Sequence, residues 1–80
     1  MDMFIRLFNI ATQEEVFINK SRIVWLTISE EDLIAGFTMD GTDETIFIQF
    51  VDHDSICHFM RGVQGEVYMT PKCTITAKEL

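Results

Sequence analysis

The segments Arg22–Ser29 (RIVWLTIS), Leu33–Met39 (LIAGFTM) and Thr45–Val51 (TIFIQFV) decide the fold of this chain. Each is rich in the β-branched and aromatic residues that favour strands. The first two are separated by Glu30-Glu31-Asp32 and the last two by a loop that begins with Asp40-Gly41, a strong hairpin signal. Because consecutive strands joined by short turns usually pair with each other, we predict a meander of three antiparallel strands.

Arg22–Ser29 is the clearest of these strands because no breaker interrupts it. It is apolar on both faces, which favours a central position in the sheet. We therefore expect Trp25 to pack in the core against its cross-strand neighbours. Gly36, inside the next strand, indicates a bulge or the close approach of another backbone.

Further strand-like segments lie on both sides of the meander. Met3–Phe8 (MFIRLF) and Glu14–Asn19 (EEVFIN) precede it. Glu66–Thr70 (EVYMT) and Cys73–Ala77 (CTITA) follow it, and Pro71 restricts their junction to an edge or a turn. This C-terminal tail is expected either to close the sheet or to pair with a second copy of the chain.

Between the meander and the tail, the pattern changes to that of a helix over residues 52–61. Asp52 fits an N-cap, and Gly62 stands where a helix would stop. Four apolar residues recur at helical spacing and form one stripe that would pack on the sheet: Ile56, Phe59, Met60 and Val63.

These elements predict an α+β fold that is mainly β. We expect an antiparallel sheet of about five to six short strands with one short helix at about residues 52–61. The chain has 80 residues, which is too few for a second core, so we expect residues 1–80 to form a single domain.

The charge balance disfavours two classes of partner. Thirteen acidic residues against six basic ones give a net charge of −7. Nucleic acids and anionic membranes are bound mainly through Lys and Arg, so we expect neither as a partner. The basic residues are also scattered, without a run or stripe: Arg6, Lys20, Arg22, Arg61, Lys72 and Lys78.

No segment is long enough to span a membrane, and Met1–Arg6 lacks the basic start of a signal peptide. We therefore expect a cytoplasmic protein. In a reducing compartment, Cys57 and Cys73 are expected to be free thiols.

The segment Asp52–His58 (DHDSICH) contains both histidines, one cysteine and two acids, all of them possible metal ligands. At about 100° per residue, His53 and Cys57 share one flank of the helix, while Asp54 and His58 share the opposite side. At most two of the four would converge on one ion, so His53 and Cys57 are weak metal candidates. The alternative is structural: Cys57 is a half-buried filler, His53 a polar residue of the first turn and His58 a surface partner of Asp54.

The sequence does not predict an enzyme. Cys57 and His58 are adjacent, so on a helix they point about 100° apart and do not form a nucleophile–base pair. The sequence has no glycine-rich phosphate loop and no Ser/His/Asp set. We accordingly expect no catalytic residues and no cofactor.

The acids concentrate at the predicted turns: Glu14-Glu15, Glu30-Glu31-Asp32, Asp40, Asp43-Glu44, Asp52 and Asp54. Solvated loops that keep an apolar chain soluble explain them simply. The alternative is an acidic surface that docks onto a basic partner, and its extreme form is a mimic of DNA.

The order of strands, turns and helix resembles the small FlbD family of flagellar and swarming-motility proteins. The matching stretches are Ile5-Arg6-Leu7, Val16-Phe17-Ile18-Asn19, Ile23-Val24-Trp25-Leu26, Asp40-Gly41 and Ser55-Ile56. The chain differs in a longer first turn without the family's glycine and in a tail after Gly62. The resemblance implies a small sheet with one helix, and it transfers no site residue.

The leading hypothesis is a non-enzymatic protein–protein interaction module, expected to form a homodimer. Unpaired strand edges template pairing, so an edge strand or the C-terminal segment Glu66–Ala77 is the expected association surface. The alternatives are an acidic regulator or inhibitor that docks onto a basic partner, and a small metal-binding protein.

Overall fold

A computed structural model of the chain describes residues 3–41 and 43–79, with the side chains of residues 78 and 79 left aside. In chain order, the elements are β1 (Phe4–Asn9), β2 (Glu14–Asn19), a short 3₁₀ helix (Lys20–Arg22), β3 (Ile23–Ser29), β4 (Ile34–Met39), β5 (Glu44–Phe50), α1 (His53–Val63) and β6 (Lys72–Glu79). The predicted fold class, mainly β with one short helix, is confirmed.

The six strands form one sheet in the order β2-β1-β6-β5-β4-β3. The predicted meander is confirmed, because β3, β4 and β5 pair in succession and antiparallel. The sheet is nevertheless mixed, since β6 is antiparallel to β5 but parallel to β1. The helix lies in the connection between β5 and its antiparallel neighbour β6, and this connection leaves and re-enters the sheet at the same end.

β2 and β3 are consecutive in the chain but form the two opposite edges of the sheet. Only Lys20–Arg22 joins them, and the four links from Asn19 to Ile23 span at most about 14 Å. The sheet must therefore curl until its two edges approach each other at this end. α1 packs against β1 and β5 on the concave side.

The buried residues form one cluster on the concave face. Phe50 and Phe59 are its largest ring pair, with centroids 5.2 Å apart. Other strand and helix residues complete it: Ile5, Leu7, Ile18, Ala35, Phe37, Ile48, Ile56 and Cys73. The predicted helix stripe is confirmed, since Ile56 and Phe59 are fully buried while Met60 and Val63 pack against the cluster.

Two predictions about β3 are wrong. The strand lies at an edge of the sheet and not in its centre, and Trp25 is 47% exposed instead of packed in the core. The strand is apolar on both faces, as a central strand would be, but its convex face is left uncovered. Sequence pattern alone does not distinguish a central strand from an edge strand with one uncovered face. The position of β3 depends on where the distant strand β6 enters the sheet.

The segment after the helix also departs from the prediction. Glu66–Thr70 is not a strand, whereas β6 covers the predicted segment Cys73–Ala77 and closes the sheet. α1 runs past Gly62 to Val63, and Gly65 provides the stop with a positive φ of 80°. The Glu66 amide donates to the carbonyl of Arg61, and the Gly65 amide donates to the carbonyl of Gly62. These are the two hydrogen bonds of a Schellman motif.

Within residues 3–41 and 43–79, no helix has both the length and the apolar character that crossing a membrane requires.

Candidate functional site

The outer edge of β3 is the most exposed apolar edge that the structure describes. Ile23–Ser29 contains neither a charged residue nor a proline, and Val24 is 64% exposed. Over the described ranges β3 pairs with β4 alone, so alternate backbone N–H and C=O groups face outward. A bulge between Ile23 and Trp25 interrupts the pairing with β4 at the start of the strand only.

The opposite edge, β2, is protected differently. Glu14 and Glu15 lie within this strand and both are exposed. Charged side chains on an edge strand discourage pairing with another chain. β3 is thus the edge that lacks the usual protection.

Opposite charges flank β3. Lys20 and Arg22 belong to the 3₁₀ helix at its start, and Glu30, Glu31 and Asp32 form the turn at its end. The Arg22 guanidinium donates a hydrogen bond to the carbonyl of Asp40 at 3.3 Å and so stays beside the start of β3.

The convex face of strands β3–β6 continues this apolar edge, and we call it the neutral face. Trp25 lies opposite Thr38, and the ring of Phe47 lies 3.3 Å from where a Cβ on Gly36 would stand. Lys78 stands opposite Thr45 in the register, and the other described residues on this face between the ends of the strands carry no charge: Trp25, Thr27, Ser29, Ile34, Gly36, Thr38, Thr45, Phe47, Gln49, Thr74 and Thr76. A shallow depression of about 310 Å³ lies on it beside Phe47.

The start of α1 brings His53 and Cys57 together with Glu30 of the β3–β4 turn, directly after the capping residue Asp52. Asp52 caps the helix by accepting a hydrogen bond from the Ser55 amide at 2.8 Å, as its sequence predicts. The predicted shared flank is confirmed, since Cys57 Sγ lies 3.5 Å from His53 Nδ1. Sγ is also 3.9 Å from His53 Nε2, and this nitrogen lies 3.4 Å from Glu30 Oε2.

Glu30 is the member of this cluster that sequence reasoning missed. It appears in the sequence as one of three acids in a turn, 23 positions before His53. The contact arises because β3 and β5 end on the same side of the sheet, so the β3–β4 turn lies next to the start of α1. No local signal in the sequence encodes that contact.

Among the described residues, no group of three or more His, Cys, Asp or Glu side chains is arranged to hold a metal ion. Within this described part of the chain, the weak metal candidates His53 and Cys57 are in contact with each other but belong to no group of three ligands. His58 accepts a hydrogen bond from the Met69 amide at 3.2 Å, a partner that the sequence did not predict.

Asp52 is the carboxyl whose protonation is most clearly tied to the fold. Its backbone and side-chain hydrogen bonds with Ser55 hold the pKa of Asp52 below its ordinary value, and the charges of Lys72 and His58 act in the same direction. Hydrogen bonds to the charged form of an acid favour that form. The cap is therefore an ionised carboxylate at neutral pH.

Cys73 stands in the opposite environment to Cys57. It is fully buried in the core, and its thiol lies 3.6 Å from the carbonyl oxygen of Phe8, to which it donates. Burial raises the pKa of the Cys73 thiol to about 11, because a thiolate is poorly solvated there. Both cysteines are free.

Acids from separate turns meet at one end of the sheet. Asn9, at the end of β1, pairs with Glu14 at the start of β2 and with Cys73 near the start of β6. Cys73 also pairs with Phe50 at the end of β5, where Gln49 pairs with Ile34 at the start of β4. These turns therefore lie at the same end of the sheet. Most of the acids described above lie in these turns or in the first residues of the elements that follow them, and we call them the acidic end: Glu14, Glu15, Glu30, Glu31, Asp32, Asp52 and Asp54. The sequence predicted acids at turns but not that these turns lie on the same side.

No protein family, curated protein or solved structure matches the chain. The resemblance to the FlbD family stays a prediction.

Proposed function

We propose that this protein is a non-enzymatic interaction module that self-associates by pairing the β3 edge with the same edge of a second copy. The observation that carries the proposal is an exposed, uncharged edge strand with bases at one end and acids at the other. A free strand edge is a template for a further strand.

Antiparallel pairing of two β3 strands satisfies the charges at both ends. In a two-fold arrangement, residue i of one copy faces residue j of the other and the reverse holds. Pairing centred near Leu26 places Arg22 of each copy beside Glu30 and Glu31 of the other. Each dimer thus gains two contacts between opposite charges, which favour this register and orientation over parallel pairing.

The net charge supports the same choice of surface. Two copies that each carry a charge of −7 repel each other, so they associate most easily where neither presents acids. β3 and the neutral face meet that condition, whereas β2 carries Glu14 and Glu15. β6 pairs with β5 along its length and with β1 at Phe8 and Asn9, so the tail is largely used within the sheet.

The oligomeric state tests this proposal. Sedimentation equilibrium of the full chain at increasing concentration is expected to give a dimer. Val24→Lys places a charge on the β3 edge and is expected to raise the dissociation constant by about tenfold or more, because an edge lysine opposes pairing. Phe17→Lys is the matched control, since Phe17 is 55% exposed on the other edge strand.

A monomeric wild-type chain at high concentration would overturn the proposal. A dimer that Phe17→Lys disrupts and Val24→Lys leaves intact would also overturn it, and would move the interface to β2. Circular dichroism of each variant shows that a loss of dimer is not a loss of fold.

A charge exchange tests the register. Arg22→Glu places acids opposite acids and is expected to weaken the dimer, and Glu31→Arg in the same chain is expected to restore it. If the double variant dimerises as weakly as Arg22→Glu alone, the antiparallel arrangement is wrong.

The acidic end favours a second candidate function, in which the protein docks onto a basic partner. Seven acids in or beside three separate turns lie at one end of the sheet. Decalysine peptide serves as a probe, and its binding is expected to weaken steeply as ionic strength rises. Replacing Glu30, Glu31 and Asp32 by their amides should reduce binding, while Asp40→Asn with Asp43→Asn, at the opposite end of the sheet, should not. Equal effects of the two sets would exclude a dedicated docking surface.

A further inference from the structure

The Cys57 thiol lies against the imidazole ring of His53, and that ring also contacts the Glu30 carboxylate. Sγ is 3.5 Å from His53 Nδ1 and 3.9 Å from His53 Nε2, and His53 Nε2 is 3.4 Å from Glu30 Oε2. In the tautomer that carries its ring proton on Nε2, this proton is directed to the Glu30 carboxylate, which only accepts hydrogen bonds. Nδ1, the nitrogen nearer to the thiol, is then the acceptor. The order thiol, imidazole, carboxylate is that of an activated cysteine nucleophile.

The three groups come from two elements, which makes the arrangement a property of the fold. His53 and Cys57 are one helical turn apart on α1, and Glu30 arrives from the β3–β4 turn.

Access to the group is open. The side chains of His53 and Glu30 are 63% and 53% exposed, and Cys57 is half-buried. Attack on a carbonyl would need donors that stabilise an oxyanion, whereas attack on a disulfide needs only an aligned approach to sulfur. The cluster lies on an open surface and thus suits a small disulfide better than an acyl substrate.

We propose that Cys57 is a modification site that exchanges with low-molecular-weight disulfides of the glutathione type. The Cys57 thiolate, its proton taken by His53, attacks one sulfur of the disulfide R–S–S–R. A bond forms between Cys57 Sγ and that sulfur while the original S–S bond breaks. The leaving RS⁻ takes up the proton from His53, so one thiol and one disulfide give one mixed disulfide and one new thiol.

Cys73 is the reference within the same chain. It is fully buried, it donates to the Phe8 carbonyl, and its pKa is raised to about 11. In the folded protein it is expected to stay unmodified, because the thiolate is the nucleophile and is disfavoured there. Its reactivity therefore reports unfolding in every variant.

The test treats the full chain at neutral pH with oxidised glutathione and follows each cysteine by mass spectrometry of its peptide. One adduct per chain at Cys57 is expected, reversed by a reducing thiol, with Cys73 unmodified. Cys57→Ser should remove the adduct. Equal rates at the two cysteines in the folded chain, or no adduct at Cys57, would overturn the proposal.

Variants of the histidines identify the base. His53→Gln is expected to slow the exchange by about tenfold, less than the roughly 100-fold effect of an enclosed catalytic base, because the pair is open to solvent. His58→Gln is the matched control, since His58 follows Cys57 in the chain but accepts from the Met69 amide instead. An unchanged rate in His53→Gln, with Cys73 still protected, would refute the role of His53.

Glu30→Gln tests the third group. It removes the negative charge but keeps an oxygen that accepts a hydrogen bond, so a smaller decrease in rate than for His53→Gln is expected. Asp43→Asn, which removes one charge at the opposite end of the sheet, should leave the rate unchanged. Equal effects of the two substitutions would show that Glu30 acts only through the net charge of the chain.

Discussion

Thr45 is a buried residue of β5 whose hydroxyl group has no hydrogen-bond partner among the described residues. It lies on the neutral face opposite Thr38, which is buried as well. A buried polar group without a partner reduces stability, because it has lost its contact with water. The neutral face therefore contains at least one position whose side chain is not optimal for the folded monomer.

Replacing Thr45 by valine is expected to stabilise the protein. The substitution keeps the shape and removes the unpaired hydroxyl, so the free energy of unfolding should rise by about 1 kcal/mol. Thr27→Val is the control on the same face, because the Thr27 hydroxyl donates to the Gly36 carbonyl at 3.3 Å. Urea unfolding measures both variants, and stabilisation by Thr27→Val as large as by Thr45→Val would contradict the argument.

Asp52 predicts a dependence of stability on acid. Its pKa is lowered in the folded state, so its contribution is present above the ordinary pKa of aspartate and is lost as pH falls through the lower folded value. Asp52→Ala should therefore reduce the free energy of unfolding at pH 7, and the difference from wild type should shrink in the acid range below about pH 4.

Asp52→Asn separates the charge of this cap from its hydrogen bond. Asparagine still accepts from the Ser55 amide, so the variant should be more stable than Asp52→Ala at pH 7. Urea unfolding at several pH values gives the comparison. A loss in Asp52→Ala that is equally large at pH 7 and in acid would show that the charge of Asp52 contributes nothing.

At the scale of elements, α1 and the segment that follows it depend on two glycines with different functions. Gly65 has a φ of 80° and open space around it, so it is required for its backbone conformation. A Cβ on Gly62 would stand 3.2 Å from the ring of Tyr68, so Gly62 is required for close packing. The Tyr68 hydroxyl accepts from the Arg6 amide at 2.8 Å and thereby joins this segment to β1.

The two glycines should respond differently to alanine. Gly65→Ala is expected to cost about 1 kcal/mol of stability, because alanine is strained at positive φ. Gly62→Ala should cost less, since a gain of up to about 1 kcal/mol in helix propensity offsets the crowding of Tyr68. Thermal and urea unfolding measure the stability of both variants. A larger loss of stability in Gly62→Ala than in Gly65→Ala would mean that the crowding of Tyr68 outweighs the gain in helix propensity.

The sequence predicts which strands and helices form better than it predicts which of them lie next to each other in the fold. Three local signals agree with the structure: the strand-like segment Met3–Phe8, the capping aspartate of α1 and the stripe that contains Ile56 and Phe59. The edge position of β3 and the coil at 66–70 depend on where β6 inserts and on the Tyr68–Arg6 contact, which join distant parts of the chain. In the candidate cluster, helical spacing was enough to place His53 beside Cys57, but Glu30 required the tertiary fold.

At the scale of the whole molecule, the uneven distribution of charge has a consequence for stability. The proposed dimer joins the uncharged edges and keeps the acidic ends of its subunits apart, because the two strands run in opposite directions. A dimer of this kind stabilises the folded chain by mass action.

The melting temperature of the wild type is therefore expected to rise with protein concentration. Val24→Lys should melt at a temperature that does not depend on concentration, while Phe17→Lys should behave as the wild type does. Scanning calorimetry over a wide range of concentrations makes the comparison. A wild-type melting temperature that does not change with protein concentration would count against self-association.

The central place of β6 determines the order in which the protein can fold. The β1–β2 hairpin and the β3–β5 meander are local and can form while the chain is being synthesised. In the sheet, however, they are joined through β6, so they remain separate halves until residues 72–79 leave the ribosome. During that interval the inner edges of β1 and β5 are open and apolar, which makes the nascent chain vulnerable to aggregation and slow to complete its fold.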